Sequence, residues 1–198
     1  MSSYYYLIST LPMPVLKEKP LLTLEEFMCS CSEWLPDSEY IELDNISLIP
    51  DLEKISKNKI INKWETWETC LRNRIAKVRS SKLGKNAAQY IQEEKNVFSE
   101  LERRVQDAYS AENPMLKEKA LDELRWKELD NMESGHQFDF SMLCIYKLRL
   151  MLCEKWIDRE DEKGERNLDA ILLHFYTPEK NNEEAVENQP VSANNETK

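Results

Sequence analysis

Only three glycines, Gly84, Gly135 and Gly164, occur in 198 residues, and no two of them share a loop. Loops that cradle a phosphate need clustered glycines, so that the backbone can approach the ligand and adopt positive φ. Against an average usage of about 7%, this scarcity excludes a phosphate-binding loop and directs the chain toward long helices with few tight turns. Histidine is as sparse, with His136 and His174 alone. The five cysteines form one Cys-x-Cys pair, Cys29 and Cys31, while Cys70, Cys144 and Cys153 supply no second pair at zinc-site spacing. They are read as reduced thiols. A nucleophile elbow, a Walker lysine and a His-Glu-x-x-His are all missing. No catalytic residue, cofactor or metal ion is therefore expected. Neighbouring carboxylates such as Glu65 with Glu68, or Asp122 with Glu123, are read as solvated helix-face residues rather than as an acid/base pair.

Long apolar runs are also lacking. The most hydrophobic stretch, Phe140 to Trp156, contains Lys147, Arg149 and Glu154 and falls short of the roughly 20 apolar residues that span a bilayer. The opening Met1 to Ile8 has neither the basic stretch nor the apolar core of a secretory signal, so a soluble, cytoplasmic protein is expected. What is present is a balance suited to a helical globule: 41% hydrophobic residues, 32% charged residues and a net charge of -10. A surface this acidic argues against general binding of nucleic acid or anionic membrane.

The pattern along the chain predicts an all-α bundle of about five or six helices, with a short extended N-terminal segment and a disordered C-terminal tail. Tyr4 to Leu11, closed by Pro12 and Pro14, is expected to be a short strand or extended anchor. Thr23-Leu24-Glu25-Glu26 is a capping box, predicting a helix to about Trp34. The stretch from Pro36 to Pro50 reads as loop with a little irregular helix. From Asp51 to about Lys82, Ile61, Trp64, Leu71, Ile75 and Val78 recur at helical spacing, with Gly84 placed to cap the C-terminus. Ala87 to Tyr109 predicts a further helix. Asn113-Pro114 starts another that stops at Gly135, and Asp139 caps the central helix, Phe140 to about Trp156. A charged connector, 158–164, leads to a last short helix beginning at Asn167 and bearing Leu168, Ile171, Leu172 and Phe175 on one face. The expected organisation is a helical domain over 1–176, with two helical subdomains as an alternative, and a disordered tail over 177–198.

Charge is arranged with an abrupt polarity. Glu25 to Glu53 holds nine acidic residues and no basic one, whereas Lys54 to Lys85 holds ten basic and two acidic residues. The two segments either neutralise one another across the bundle surface or leave a face for an acidic protein partner. The candidate partner-binding residues are Arg72, Arg74, Lys77, Arg79, Lys82 and Arg125. For Arg72 and Arg125 an internal ion pair is the equal alternative.

Several phrases are more specific than helical periodicity requires. They are Tyr4-Tyr5-Tyr6-Leu7-Ile8 with Leu11-Pro12, Trp67-Glu68, Leu71-Arg72-Asn73, Asn113-Pro114, Leu121-Asp122, Arg125-Trp126, Gly135 to Asp139, Lys147-Leu148 and Glu154-Lys155-Trp156. Over roughly Tyr4 to Trp156 they resemble a small bacterial family encoded with V/A-type ATPase genes, itself similar to the C-type connector of that enzyme. The resemblance implies a noncatalytic subunit or accessory protein linking the central stalk to the membrane rotor ring. It further implies partners among the V/A-type ATPase subunits and a place beside the inner membrane through that complex, without direct insertion. A general helical adaptor or assembly factor for an acidic protein is the alternative.

Overall fold

A computed structural model describes residues 4–51, 56–94, 96, 98–157, 167–168 and 171–172. The chain divides into two units, Met1–Asp158 and Arg159–Lys198. Among the described residues of the first unit seven α-helices follow in order: α1 (Tyr4–Thr10), α2 (Leu24–Trp34), α3 (Asp37–Asp44), α4 (Lys59–Lys82), α5 (Ser99–Tyr109), α6 (Pro114–Glu133) and α7 (Phe140–Ile157). A 3-10 turn at Ala87–Gln89 separates α4 from α5. The described residues include no strand, so the all-α expectation holds. In the second unit residues 167–168 and 171–172 are helical, with Leu168, Ile171 and Leu172 exposed. The charged connector 158–164, Phe175 and the tail 177–198 lie outside the described residues.

The start signals read from the sequence act as written. Thr23 Oγ1 accepts the Glu26 backbone N–H at 3.2 Å while Glu26 Oε2 accepts the Thr23 N–H at 2.9 Å, completing the capping box of α2. Asn113 Oδ1 accepts the Leu116 N–H at 2.8 Å ahead of Pro114, and Asp139 Oδ1 accepts the Met142 N–H at 3.0 Å at the start of α7. At the end of α4, Gly84 takes φ +62°. Its N–H donates to Ser81 O at 3.3 Å and the Lys85 N–H donates to Ser80 O at 2.9 Å, which is the Schellman closure for which glycine has no Cβ penalty.

Several expectations are corrected. Tyr4 to Thr10 is a helix, not a strand. Leu7 is buried, Tyr5 packs in a tilted ring contact with Phe138 and Tyr6 in another with Trp34, and the Tyr4 hydroxyl donates to Glu39 at 2.5 Å, so tertiary packing overrides the β preference of the tyrosines. Residues 37–44 form a full helix despite lacking an apolar stripe, since only Leu43 is buried. Helix α4 begins at Lys59 rather than near Asp51 because Asn58 caps it, its side chain accepting from Ile60 and Ile61 N–H; positions 52–55 are outside the described residues. The expected helix from Ala87 is split. Asn73 on α4 exchanges two hydrogen bonds with the Gln92 backbone, its amide donating to Gln92 O at 2.8 Å and its Oδ1 accepting the Gln92 N–H at 2.9 Å. That pairing holds 91–94 outside any helix, and α5 starts only at Ser99.

Helix α7 is the central helix, packed against α1, α2, α3, α4 and α6. Leu143, Cys144, Ile145, Leu148, Leu150, Leu152 and Cys153 are buried on nearly all its sides. No described helix is long and apolar enough to cross a membrane. Of the three cations of α7, Lys147 and Arg149 are buried and have internal partners. Lys147 reaches the open C-terminus of α3, donating from Nζ to Leu43 O at 3.0 Å and to Asp44 O at 2.9 Å. Burial pulls its pKa below the ordinary lysine value. Arg149 donates to Asp130 at 2.7 Å and to Glu133, and lies 5.5 Å from the Trp126 ring centroid. All five cysteines are free thiols, with Cys29 exposed and the others buried; burial pushes Cys31 up to about 12 and Cys153 up to about 11.

Lys147→Met removes both donors to the last carbonyls of α3. It is expected to destabilise the protein by about 1–3 kcal/mol, measured by urea unfolding, with hydrogen exchange accelerating first in residues 37–44.

Candidate docking site

Three cations and three carboxylates gather where α4, α6 and α7 meet. Glu68 on α4 and Asp122 on α6 are both 0% exposed, so the expectation of solvated carboxylates fails at these two positions. Arg125, one turn beyond Asp122, lies between them. Its Nη1 donates to Asp122 Oδ1 at 2.7 Å, while Nε and Nη2 donate to the two Glu68 oxygens at 3.0 and 2.8 Å. A planar guanidinium matches a carboxylate in this forked way, and charge-assisted bonds of the kind are about twice as strong as neutral ones. Burial disfavours the charge on Arg125, but the Glu68 and Asp122 carboxylates outweigh it and raise its pKa above the ordinary arginine value.

The outer members complete the set. Arg72, one turn after Glu68, donates from Nε to Glu68 Oε1 at 2.9 Å and from Nη2 to Leu48 O at 3.4 Å. From α7, Lys155 donates to Asp122 at 2.9 Å and to Glu118, and Trp156 Nε1 donates to Asp122 Oδ2 at 2.9 Å. Three positive and three negative side chains cancel, so the cluster is neutral as a whole.

Above this cluster opens a cleft of about 650 Å³. Buried Ile75, Leu121 and Leu152 form its floor, and Leu48, Ile49, Leu83 and Tyr90 line its sides. Arg125 and Lys155 line it from the cluster, and Glu118 is the one acidic lining residue among the described residues. Arg79 and Lys85, both exposed and outside the neutral cluster, add surplus positive charge at the rim. An apolar floor edged by cations suits a segment that presents apolar side chains on one face and carboxylates beside them.

The structure brings together Arg72, Arg79 and Arg125 among the six candidate partner-binding residues, and places the other three elsewhere. Arg125 is 7% exposed and its pairs are internal. Arg74 is also buried, with its guanidinium forked on Glu94 and its Nε 3.3 Å from Glu102. Lys82 donates to Tyr109 O at 3.3 Å and lies over the Tyr109 ring, whose hydroxyl accepts from Arg79 Nε at 2.5 Å. Lys77 is exposed on the flank whose charge acts on Glu94. The pairs made by Arg72 and Arg74 run to Glu68, Glu94 and Glu102, not to the acidic segment 25–53.

Lys85, at the end of the basic Arg72 to Lys85 stretch read from the sequence, lines the cleft, whereas sequence reasoning missed Tyr90, Leu48, Ile49 and Lys155 as lining residues, and Glu68 and Asp122 as the charges beneath. The signal for the last three was present: Trp67-Glu68, Leu121-Asp122 and Glu154-Lys155-Trp156 are phrases singled out for their specificity, and all converge here.

A family model described as "Protein of unknown function (DUF2764)" matches residues 96–175. That stretch covers less than half of the chain and includes α5, α6 and α7 with Asp122, Arg125 and Lys155, while Glu68 and Arg72 on α4 lie before it. No curated protein and no solved structure matches the chain.

Replacing Arg125 by Met leaves two buried carboxylates short of their counter-charge and is expected to cost about 3–5 kcal/mol in chemical denaturation. Combining it with Glu68→Gln and Asp122→Asn should cost less than the sum of the separate changes. The Arg74 hydrogen bond holds Glu94 below its ordinary value of 4.5. Its folded pKa is thus lower than its unfolded one, so the pair contributes stability above about pH 4.5 and loses it as pH falls through the folded value. Glu94→Gln should reduce stability by about 1–3 kcal/mol at neutral pH, and urea titrations at successively lower pH should show that difference shrinking.

Proposed function

We propose that the protein is a noncatalytic docking part of a V/A-type ATPase, a connector similar to that enzyme's C-type component, which joins the central stalk to the membrane rotor ring, and that it seats an acidic amphipathic segment of a neighbouring polypeptide in its cleft. The observation that carries the docking role is the pairing of an apolar floor with a rim whose surplus charge, from Arg79 and Lys85, is positive. The ATPase setting rests on the resemblance of the specific phrases. These phrases supply the walls and foundation of the cleft: Glu68, Arg72, Leu121, Asp122, Arg125 and Lys155. A wall supported by a neutral, buried ion cluster is rigid, and a pre-organised surface loses less conformational freedom when a partner binds.

A second reading, a general helical adaptor or assembly factor, uses the same cleft on an acidic protein outside the ATPase. It is favoured by the chemistry of the cleft, which selects carboxylates beside apolar anchors in any helical partner. In both readings electrostatic complementarity sets orientation and association rate, while the floor contributes the buried area.

The test is co-purification from the native cells at low ionic strength. Tagged wild-type protein should bring down ATPase stalk or rotor subunits, and the variant Arg79→Glu with Lys85→Glu should lose them while its far-ultraviolet circular dichroism stays unchanged. Capture that survives the double reversal removes the cleft as the docking site. An intact ATPase isolated under the same gentle conditions without this chain rejects the connector and leaves the adaptor.

A further inference from the structure

The end of the bundle built by α1, α2, α3 and the turn ahead of α7 carries a surface that the docking cleft does not use. Residues 4–16, 20–53 and 128–146 contain no lysine or arginine. Lys147 and Arg149, which follow on α7, are buried and bonded to internal partners.

Four aromatic rings stand partly in water on this face. Tyr5 is 62% exposed, Tyr6 61%, Trp34 40% and Phe138 41%. They are assembled as two tilted pairs, with ring centroids 4.6 Å apart for Tyr5 and Phe138 and 5.1 Å apart for Tyr6 and Trp34. Tyr5 and Tyr6 are consecutive on α1, so the two pairs adjoin. A lone exposed aromatic needs no explanation, whereas a contiguous set marks a contact surface. The rings are also held in place: Leu7 anchors α1 in the core, and the Tyr4 hydroxyl ties it to Glu39 on α3 at 2.5 Å.

The carboxylates beside the rings fall into two sets. Glu39 accepts from Tyr4, and Asp139 accepts the Met142 N–H and lies 2.5 Å from His136 Nδ1, so both serve the fold. Glu33 and Asp37 bracket Trp34 in the chain and are exposed. Among the described residues neither makes a hydrogen bond or an ion pair. The charge free to act at this face is therefore theirs.

Rings and free carboxylates together select one chemistry. The faces of tryptophan and tyrosine attract cations, the planar guanidinium most often, and carboxylates beside them add attraction for the same group while repelling phosphate. We propose that this face docks an arginine-bearing segment of a partner protein, with guanidinium groups laid over Tyr5, Tyr6 and Trp34 and paired with Glu33 and Asp37. This partner is opposite in charge to the one assigned to the cleft, and the two sites share no residue.

The test is fluorescence anisotropy of a dye-labelled peptide of alternating arginine and serine at low ionic strength. Because the chain carries a net charge of -10, any cationic peptide is drawn to it, and the decisive comparisons are between proteins of equal charge. Tyr5→Ser with Tyr6→Ser, which leaves the charge unchanged, should weaken binding about 10-fold or more. Glu33→Gln with Asp37→Asn should weaken it more than Glu93→Gln with Glu112→Gln, two exposed carboxylates outside this face. The same peptide with lysine in place of arginine should bind less tightly. Glu33 and Asp37 make no contact that the fold needs, so their variant remains a test where serine at positions 5 and 6 unseats α1, which circular dichroism would reveal.

Wild-type protein that does not bind the peptide, a folded tyrosine variant that binds it as well, or two carboxylate variants that weaken it alike would each overturn the proposal. Self-association of the wild type that disappears in Tyr5→Ser, Tyr6→Ser, without peptide binding, would assign the face to a second copy and overturn it too. The Arg79→Glu, Lys85→Glu variant should keep the peptide. ATPase capture that fails while the peptide binds removes the cleft reading alone, and peptide binding that fails while capture persists removes this one alone.

Discussion

The buried contact between Glu68, Arg125 and Asp122 is the constraint on which the helical arrangement turns. Burying two carboxylates is costly unless a cation pairs with them, and Arg125 reaches both Glu68 and Asp122 only if α4 and α6 keep one relative position. Apolar packing alone tolerates sliding of one helix along another, because leucine against leucine is much the same a turn away. A forked guanidinium bound to two residues on two helices is not. The cluster therefore fixes register where the hydrophobic core fixes only proximity, and Lys155, Trp156 and Arg72 extend that constraint outward to the cleft walls.

Much of the fold is legible in the sequence, and what is legible has a local cause. The capping box at Thr23, the Asn113-Pro114 start, Asp139 and Gly84 each act within a few residues, so their geometry is encoded where it is read. The elements that escaped detection depend on distant partners. Helix α3 has almost no apolar periodicity and is completed by Lys147 from α7. Residues 91–94 depend on Asn73 and Arg74 of α4, and α1 on Trp34, Glu39 and Phe138. The same division holds for the site. Clustering of basic residues on α4 was visible, but which of them point at buried carboxylates was not. The hydropathy of Glu68 and Asp122 reads as surface, and only three-dimensional proximity to Arg125 makes their burial tolerable.

The near-neutrality of the cluster also shapes the cleft chemically. A site in which every cation already has a carboxylate is poorly suited to trap a free anion, which would have to displace an internal partner. What remains available is charge at the rim and apolar area at the base, the combination by which helical protein segments are recognised. Scarcity of glycine fits the same picture, since the cleft is lined mainly by helices rather than by loops whose backbone approaches a phosphate.

The partners of α7 lie at the far end of the chain. Its residues receive the Leu24 N–H on Glu154, bond to Pro12 and Val15 carbonyls through Tyr146 and Cys153, and close α3 through Lys147. During synthesis the ribosome releases α1, α2 and α3 long before α7 exists, and contacts so distant in sequence are slow to close. The N-terminal third must wait, with Phe27, Cys31 and Leu43 still lacking their cover, until residue 157 has emerged. The order of translation thus makes the last helix of the unit the keystone of the first three, and leaves the apolar faces of the earliest helices uncovered until it has been made.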